Sequence, residues 1–251
     1  MERNTQEQLT ALLAATNRLS SAVDALAFAA PVTHVYNPLS YAGESHAAYQ
    51  NLYGTGRKRV VFLGMNPGPF GMVQTGIPFG EIAAVTGWMN ISPLSREKIL
   101  VTPPVQQNPA RPIEGFACQR SEVSGRRLWG LFAARYPNPA DFFADHFVLN
   151  YCPLAFFDHG RNLTPDKLPV AEQAPLLAAC DAHLAEIVGI MQPDWLVGVG
   201  AWAETRAKDA LASQFPPLTF GRVLHPSPAS PAANRGWAEA ATRQLHDQSI
   251  W

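Results

Sequence analysis

An apolar run, Val60-Val61-Phe62-Leu63, passes directly into Gly64-Met65-Asn66-Pro67-Gly68-Pro69-Phe70-Gly71. A stretch so punctuated by Gly and Pro continues neither as helix nor as sheet. A strand must therefore end there and hand its chain to a tight loop, with the Asn66 amide at the loop's start. A second apolar run ends in the same manner downstream, in His225-Pro226-Ser227-Pro228, followed by Asn234-Arg235-Gly236-Trp237. In open α/β sheets, ligands sit beyond the carboxyl ends of the strands. One strand end offers an amide and another an imidazole, which is what an active site on such a sheet requires.

The remaining periodicity supports that fold. Apolar residues at Leu9, Leu12, Leu13, Leu19, Val23, Leu26 and Phe28 predict an amphipathic helix from about Gln6 to Ala29. A loop containing Tyr36-Asn37-Pro38 and Tyr41 follows. Strands are predicted over Arg59–Leu63, His146–Tyr151, Trp195–Val199 and Thr219–Leu224. Helices are predicted over Ser121–Arg135, Val170–Met191, Trp202–Leu211 and Pro231–His246. The Gly/Pro-rich stretch Met72–Asn108 has room for a short helix near Phe79–Asn90, and Asp158–Pro165 reads as a polar loop. Strands separated by helices imply right-handed crossovers and a parallel sheet covered on both faces. The expected architecture is a three-layer α/β/α sandwich around a four-stranded, mainly parallel sheet. Residues 1–251 are expected to form a single domain, with a helical segment, 1–29, packed on it. Asn66, Asn150, Gly200 and His225 then all fall at carboxyl ends of strands.

Composition removes several function classes. Hydrophobic residues make up 47% and charged residues 16%, enough apolar material for a substantial core. A net charge of −1 gives no long-range attraction for nucleic acid, so any DNA contact must be local. Cys118, Cys152 and Cys180 lie far apart, without a Cys-x-x-Cys pair. That argues against a four-thiolate zinc site, an iron–sulfur cluster and a disulfide framework. The polar N-terminus lacks a signal-peptide pattern, and no run of about 18 apolar residues suggests a membrane span. A reduced, soluble compartment is expected: the cytoplasm of a bacterium or the nucleus of a eukaryote.

An amide (Asn66), an aromatic (Phe79), a second amide (Asn150) and an imidazole (His225) around one crevice suit a flat heteroaromatic ligand. The ring stacks, an amide pairs with the ligand's donor/acceptor edge, and the imidazole stabilises negative charge on a leaving group. Each residue alone has an ordinary structural explanation: a turn, a cap, a core aromatic. The joint arrangement carries the inference.

These residues resemble the single-strand-selective monofunctional branch of the uracil-DNA glycosylase superfamily. The first motif, Gly64 through Gly80 with Gln74-Thr75-Gly76 and Pro78-Phe79-Gly80, resembles that family's signature almost residue for residue. The second motif, His225-Pro226-Ser227-Pro228 with Asn234-Arg235-Gly236-Trp237, is similar as well. Tyr36-Asn37-Pro38, Thr102-Pro103-Pro104, Ser121-Glu122-Val123-Ser124-Gly125, Asn150 with Cys152-Pro153-Leu154, and Gly160-Arg161-Asn162-Leu163-Thr164-Pro165 extend the likeness over most of the chain after about residue 30.

The resemblance implies roles. Asn66 would position the attacking water, and His225 would hydrogen-bond the uracil carbonyl as charge builds on the departing base. Phe79 would stack on the base, and Asn150 would read its edge. Backbone at Met65 and the small Gly68 would line the pocket near C5. Pro226, Ser227, Pro228, Ala229 and Ser230 would form a wedge that enters the duplex. Gly160, Arg161 and Asn162 would open a DNA-contacting segment reaching Ala174. Ala229 departs from the family, which carries a basic residue there. Of Arg111, Arg120, Arg126, Arg127, Arg161 and Arg235, the motif-flanking Arg161 and Arg235 are the favoured phosphate contacts. None of the four lysines, Lys58, Lys98, Lys167 and Lys208, lies in either motif. An amine nucleophile for a Schiff base is therefore not expected, and base excision should leave the strand uncut. The implied substrates are uracil and C5-oxidised uracils such as 5-hydroxymethyluracil, in single- and double-stranded DNA. The implied protein is a monomer without metal, cofactor or membrane partner. Two alternatives stay open: the same fold acting mainly on xanthine or hypoxanthine, and a nucleic-acid-binding module without turnover.

Overall fold

A computed structural model of the chain describes residues 2–93, 100–215 and 217–251. In chain order its elements are α1 (Glu2–Asp24), β1 (His34–Tyr36), α2 (Pro38–Tyr41), α3 (Gly43–Tyr53), β2 (Val60–Gly64), α4 (Met72–Thr75), α5 (Val123–Arg135), α6 (Pro139–Phe143), β3 (His146–Asn150), β4 (Ala155–Asp158), β5 (Arg161–Leu163), α7 (Val170–Met191), β6 (Trp195–Val199), α8 (Ala201–Leu211), β7 (Thr219–Val223), α9 (Pro231–Asn234) and α10 (Trp237–Asp247).

Four strands form a wholly parallel sheet in the order β3-β2-β6-β7. Every residue of β2 and β3 is buried, which is why Val60–Leu63 and Phe147–Leu149 read as apolar runs and not as alternations. From β2 the chain crosses through α5 to β3. It then returns past β2, through α7 to β6 and through α8 to β7. Right-handed crossovers in opposite directions put α5 on one face and α7 and α8 on the other. α10 joins α5, and α1 lies on α7. The winding direction reverses between β2 and β6, and the crevice at the strands' carboxyl ends opens there.

Several local details differ from the sequence reading. α1 stops at Asp24 and not near Ala29, because the following chain turns to set Phe28 edge-on against Phe156, with ring centroids 4.9 Å apart. The Asn37 amide fastens that end, donating to Ser20 Oγ at 3.0 Å and Asp24 Oδ1 at 2.9 Å. A second, antiparallel sheet, β1-β4-β5, was not legible. Its strands are too short to show a period, and the expected polar loop is a β4–β5 hairpin turning on His159 and Gly160, both at positive φ. α2, α3 and α6 lie where loop or no element was predicted. The helix predicted near Phe79–Asn90 is a π-helical turn at Ala84–Trp88, and Gly236, at φ 123°, divides the last helix into α9 and α10. α7 is long and apolar enough to cross a membrane by length and composition, although Glu172, Asp181, His183 and Glu186 interrupt its apolar residues. It is instead the central crossover helix, with Leu176, Cys180, Leu184, Ile187, Val188 and Met191 buried in the core. Cys118, Cys152 and Cys180 are all buried free thiols.

Burial holds His46, His146, His183 and His225 below the ordinary imidazole value of 6.5, His183 down to about 4. Unfolding frees these rings to take up protons at 6.5, so their contribution is intact above that pH and drains away as pH falls toward the folded values. Each ring that stays neutral below 6.5 costs up to about 1.4 kcal/mol of stability per pH unit. Melting temperature is therefore expected to fall steadily between pH 6.5 and 4; a flat profile in thermal melts would contradict this burial.

Candidate active site

A cavity of about 610 Å³ opens where the four parallel strands end. Met65, Asn66 and Gly68 line it from the loop after β2, Asn150 from the end of β3, Gly200 from the end of β6 and His225 from the loop after β7. Phe79, Met72, Glu122, Asn162 and Trp202 complete much of the wall. The topology thus gathers residues separated by up to 160 positions in sequence at one crevice.

Asn150 and Phe79 converge over a glycine. Gly64 pairs with Asn150 in the sheet register. A Cβ built on Gly64 would stand 2.3 Å from Asn150 Oδ1 and 2.5 Å from Phe79 Cε2. Only a glycine at the end of β2 leaves space for both side chains. The Asn150 Nδ2 donates to Met72 Sδ at 3.3 Å, while its Oδ1 is buried and has no partner. Phe79 sits at φ 53°, a conformation an aromatic residue rarely adopts. Neighbours hold it there: Trp129 Nε1 donates to the Pro78 carbonyl at 3.2 Å, and Thr75 Oγ1 to the Gly80 carbonyl at 3.0 Å. Its ring centroid lies 6.4 Å from that of His225.

The backbone fixes the tautomer of His225. The Ser227 N–H donates to Nδ1 at 3.1 Å, so Nδ1 is the acceptor and Nε2 carries the proton. Burial lowers the imidazole pKa, which keeps the ring neutral. Gly200, at φ 100°, closes the adjacent wall; a Cβ there would lie 3.2 Å from that of His225.

Asn66 is oriented by its own amide: Nδ2 donates to the Leu154 carbonyl at 3.2 Å. Its Oδ1 is left to accept. Space beside Gly68 is taken by protein, since a Cβ there would approach Glu122 Oε2 to 2.5 Å.

The predicted DNA-contacting residues separate into two groups. Asn162 lines the cavity. Gly160 and Arg161 belong to the same β4–β5 hairpin but do not line the cavity, and Arg161 Nη2 donates to Asp158 Oδ2 at 2.8 Å. In the second motif, Pro226 is buried, whereas Pro228, Ala229 and Arg235 are exposed and Ser227 and Ser230 half-buried. Arg127, grouped by sequence with possible phosphate contacts, has a structural task. Its Nη1 donates to the Pro226 carbonyl at 2.9 Å and its Nη2 to Asn234 Oδ1 at 2.8 Å, while Asn234 Nδ2 donates to the Pro228 carbonyl at 2.8 Å. The second-motif loop is therefore braced from α5. Arg111 and Arg120 lie over the Phe70 ring, at 5.5 and 3.9 Å.

Sequence reasoning assigned no role to Gly64, Met72, Glu122 or Trp202. Gly64 carried the one available signal, a glycine ending an apolar strand; the others reach the cavity only through tertiary packing. Among the described residues no lysine lines the cavity. Lys58 is buried beneath Phe143, to whose carbonyl it donates, and Lys167 and Lys208 pair with Asp166 and Glu204. Lys98 lies outside the described residues. No group of three or more His, Cys, Asp or Glu is placed to hold a metal among them.

The profile of the Uracil DNA glycosylase superfamily matches residues 52–246. The single-strand selective monofunctional uracil-DNA glycosylases of Rattus norvegicus and Bos taurus are each 46% identical over 234 residues, 93% of this chain and 82% and 84% of theirs. Among solved structures, SMUG2 of Pedobacter heparinus superposes with a TM-score of 0.64, covering 94% of this chain and 97% of that one at 15% identity, so it shares the fold. With the strand-end cavity, its two amides and its neutral imidazole, these matches place the chain in the uracil DNA glycosylase superfamily.

Proposed function

We propose that the chain is a monofunctional DNA repair glycosylase that hydrolyses the N-glycosyl bond of uracil, and of C5-oxidised uracils such as 5-hydroxymethyluracil, in single- and double-stranded DNA. The observation that carries this reading is the Asn150 amide. A buried, unpartnered acceptor is rare in a folded protein and points to an absent partner. Uracil supplies one: N3–H donates to Oδ1, and O4 accepts from Nδ2. Cytosine reverses both groups, and a site built to pair with groups an analogue lacks rejects it by about 10⁴-fold or more.

A base inside the duplex cannot reach this cavity, so it must leave the stack first. Phe79 then stacks on its face. The His225 Nε2–H donates to O2 as charge accumulates there, and a neutral donor suits an anion that leaves unprotonated. Asn66 is no base, because an amide is not protonated near neutral pH. Its accepting Oδ1 orients a water toward the sugar cation after the glycosidic bond has begun to break. The chemistry is therefore dissociative, with leaving-group stabilisation as its main source of rate. With no lysine lining the cavity among the described residues, the product is an abasic site in an intact strand. Pro228 and Ala229 form the exposed tip that enters the duplex, and Arg161 and Arg235 serve as phosphate contacts.

The test uses oligonucleotides carrying uracil, 5-hydroxymethyluracil, cytosine, xanthine or hypoxanthine, single- and double-stranded, followed by alkaline cleavage of abasic sites. Uracil release that requires alkali for strand scission is expected. Release confined to the purines, or uracil-DNA binding without release, would replace this reading with one of its alternatives.

A further inference from the structure

Glu122 is the one acidic side chain lining the cavity among the described residues. It caps α5, accepting from the Ser124 N–H at 3.3 Å, and the Phe70 backbone N–H also reaches it. Capping alone requires only an acceptor at that position. Here two glycines of the first motif also make room for the carboxylate. A Cβ on Gly68 would lie 2.5 Å from Oε2, and one on Gly71 2.9 Å from Cγ. Burial raises the carboxyl pKa, opposed by those N–H donors, so the group is held in place at a desolvation cost the helix cap does not explain.

Asn150 shows which part of a base would meet it. Its Nδ2 is turned toward Met72 Sδ. A uracil that accepts at O4 from Nδ2 therefore has O4, and the adjacent C5, on the Met72 side, with O2 directed to His225. Gly71, the chain neighbour of Met72, and Gly68 both lie against Glu122, and all four residues line the cavity. At C5 itself uracil presents only a C–H group.

We propose that Glu122 selects the C5 substituent of the flipped base: its carboxylate accepts a hydrogen bond from a hydroxyl carried at C5 and repels a carboxylate carried there. This assignment rests on the pyrimidine reading given above. A C5 methyl, which can neither donate nor accept, would desolvate the carboxylate without compensation.

The decisive experiment compares wild type, Glu122→Gln and Glu122→Ala on oligonucleotides carrying uracil, 5-hydroxymethyluracil or 5-carboxyuracil, reading kcat/KM relative to uracil. Glutamine keeps an oxygen for the α5 cap, which melting temperatures verify. Any general loss from a weakened cap cancels in the ratios. Removing a hydrogen bond to a charged group is expected to lower the hydroxymethyluracil-to-uracil ratio by about tenfold in the alanine variant, and less in the glutamine variant. The carboxyuracil-to-uracil ratio should rise in both. A merely structural Glu122 would move the two ratios together or leave both unchanged, and either result overturns the proposal. If wild type releases neither uracil nor hydroxymethyluracil, the underlying pyrimidine reading fails instead, and Glu122 fails with it.

Discussion

A Gly64→Ala enzyme is expected to release uracil about a hundredfold more slowly than wild type, since misplacing reading groups by about 1 Å has that effect. One methyl is the smallest change a side chain can make. At the end of β2, however, it lands 2.3 Å from Asn150 Oδ1 and 2.5 Å from the Phe79 ring. Both groups must then retreat from the positions in which the proposed reading has Asn150 pair with the base edge and Phe79 stack on its face. Because the strand core is untouched, the melting temperature should change far less than the rate. Single-turnover excision from a uracil oligonucleotide, measured beside a thermal melt, checks both. A Gly64→Ala rate close to wild type would show that Asn150 and Phe79 do not jointly hold the base.

His225→Ala should lower the chemical step by about 10²–10³-fold, the usual cost of removing one donor aimed at developing negative charge. Affinity for uracil-containing DNA should change little, because the donor acts mainly as the base departs. Wild-type pH dependence provides a second check on the same ring. Burial lowers the His225 pKa from 6.5, so the charged form is disfavoured and the neutral, Nε2-protonated ring persists below that value. Excision should stay level as pH drops through 6.5 and decline only in more acid solution, where protonating Nδ1 also breaks its bond with the Ser227 N–H. A rate that titrates with a midpoint at or above 6.5, or a His225→Ala variant with an undiminished single-turnover rate, would remove His225 from leaving-group stabilisation.

The sequence marks Gly64 and His225 to different depths. His225 and Asn66 were legible because each follows an apolar run and precedes proline, a local pattern that fixes a strand end without knowledge of the rest of the fold. The parallel sheet was legible for a related reason: β2 and β3 are buried on both faces, and that burial writes itself as the apolar runs Val60–Leu63 and Phe147–Leu149. The second sheet left no such mark. Strands of three or four residues carry no usable period, and their pairing depends on a hairpin turn and on partners more than a hundred residues away, as in Phe157 with His34.

The sequence by itself thus determined the fold class, the strand ends and the identities of the two amides, the aromatic and the imidazole. Tertiary structure decided what those groups could do. It set the His225 tautomer through a backbone N–H, left Asn150 Oδ1 buried without a partner, assigned Arg127 to bracing the second-motif loop, and pressed Glu122 against Gly68 and Gly71. Periodicity and turn chemistry are local, so sequence carries them. Burial, orphaned hydrogen-bonding atoms and close approach are properties of packed neighbours, and only folding brings those neighbours together.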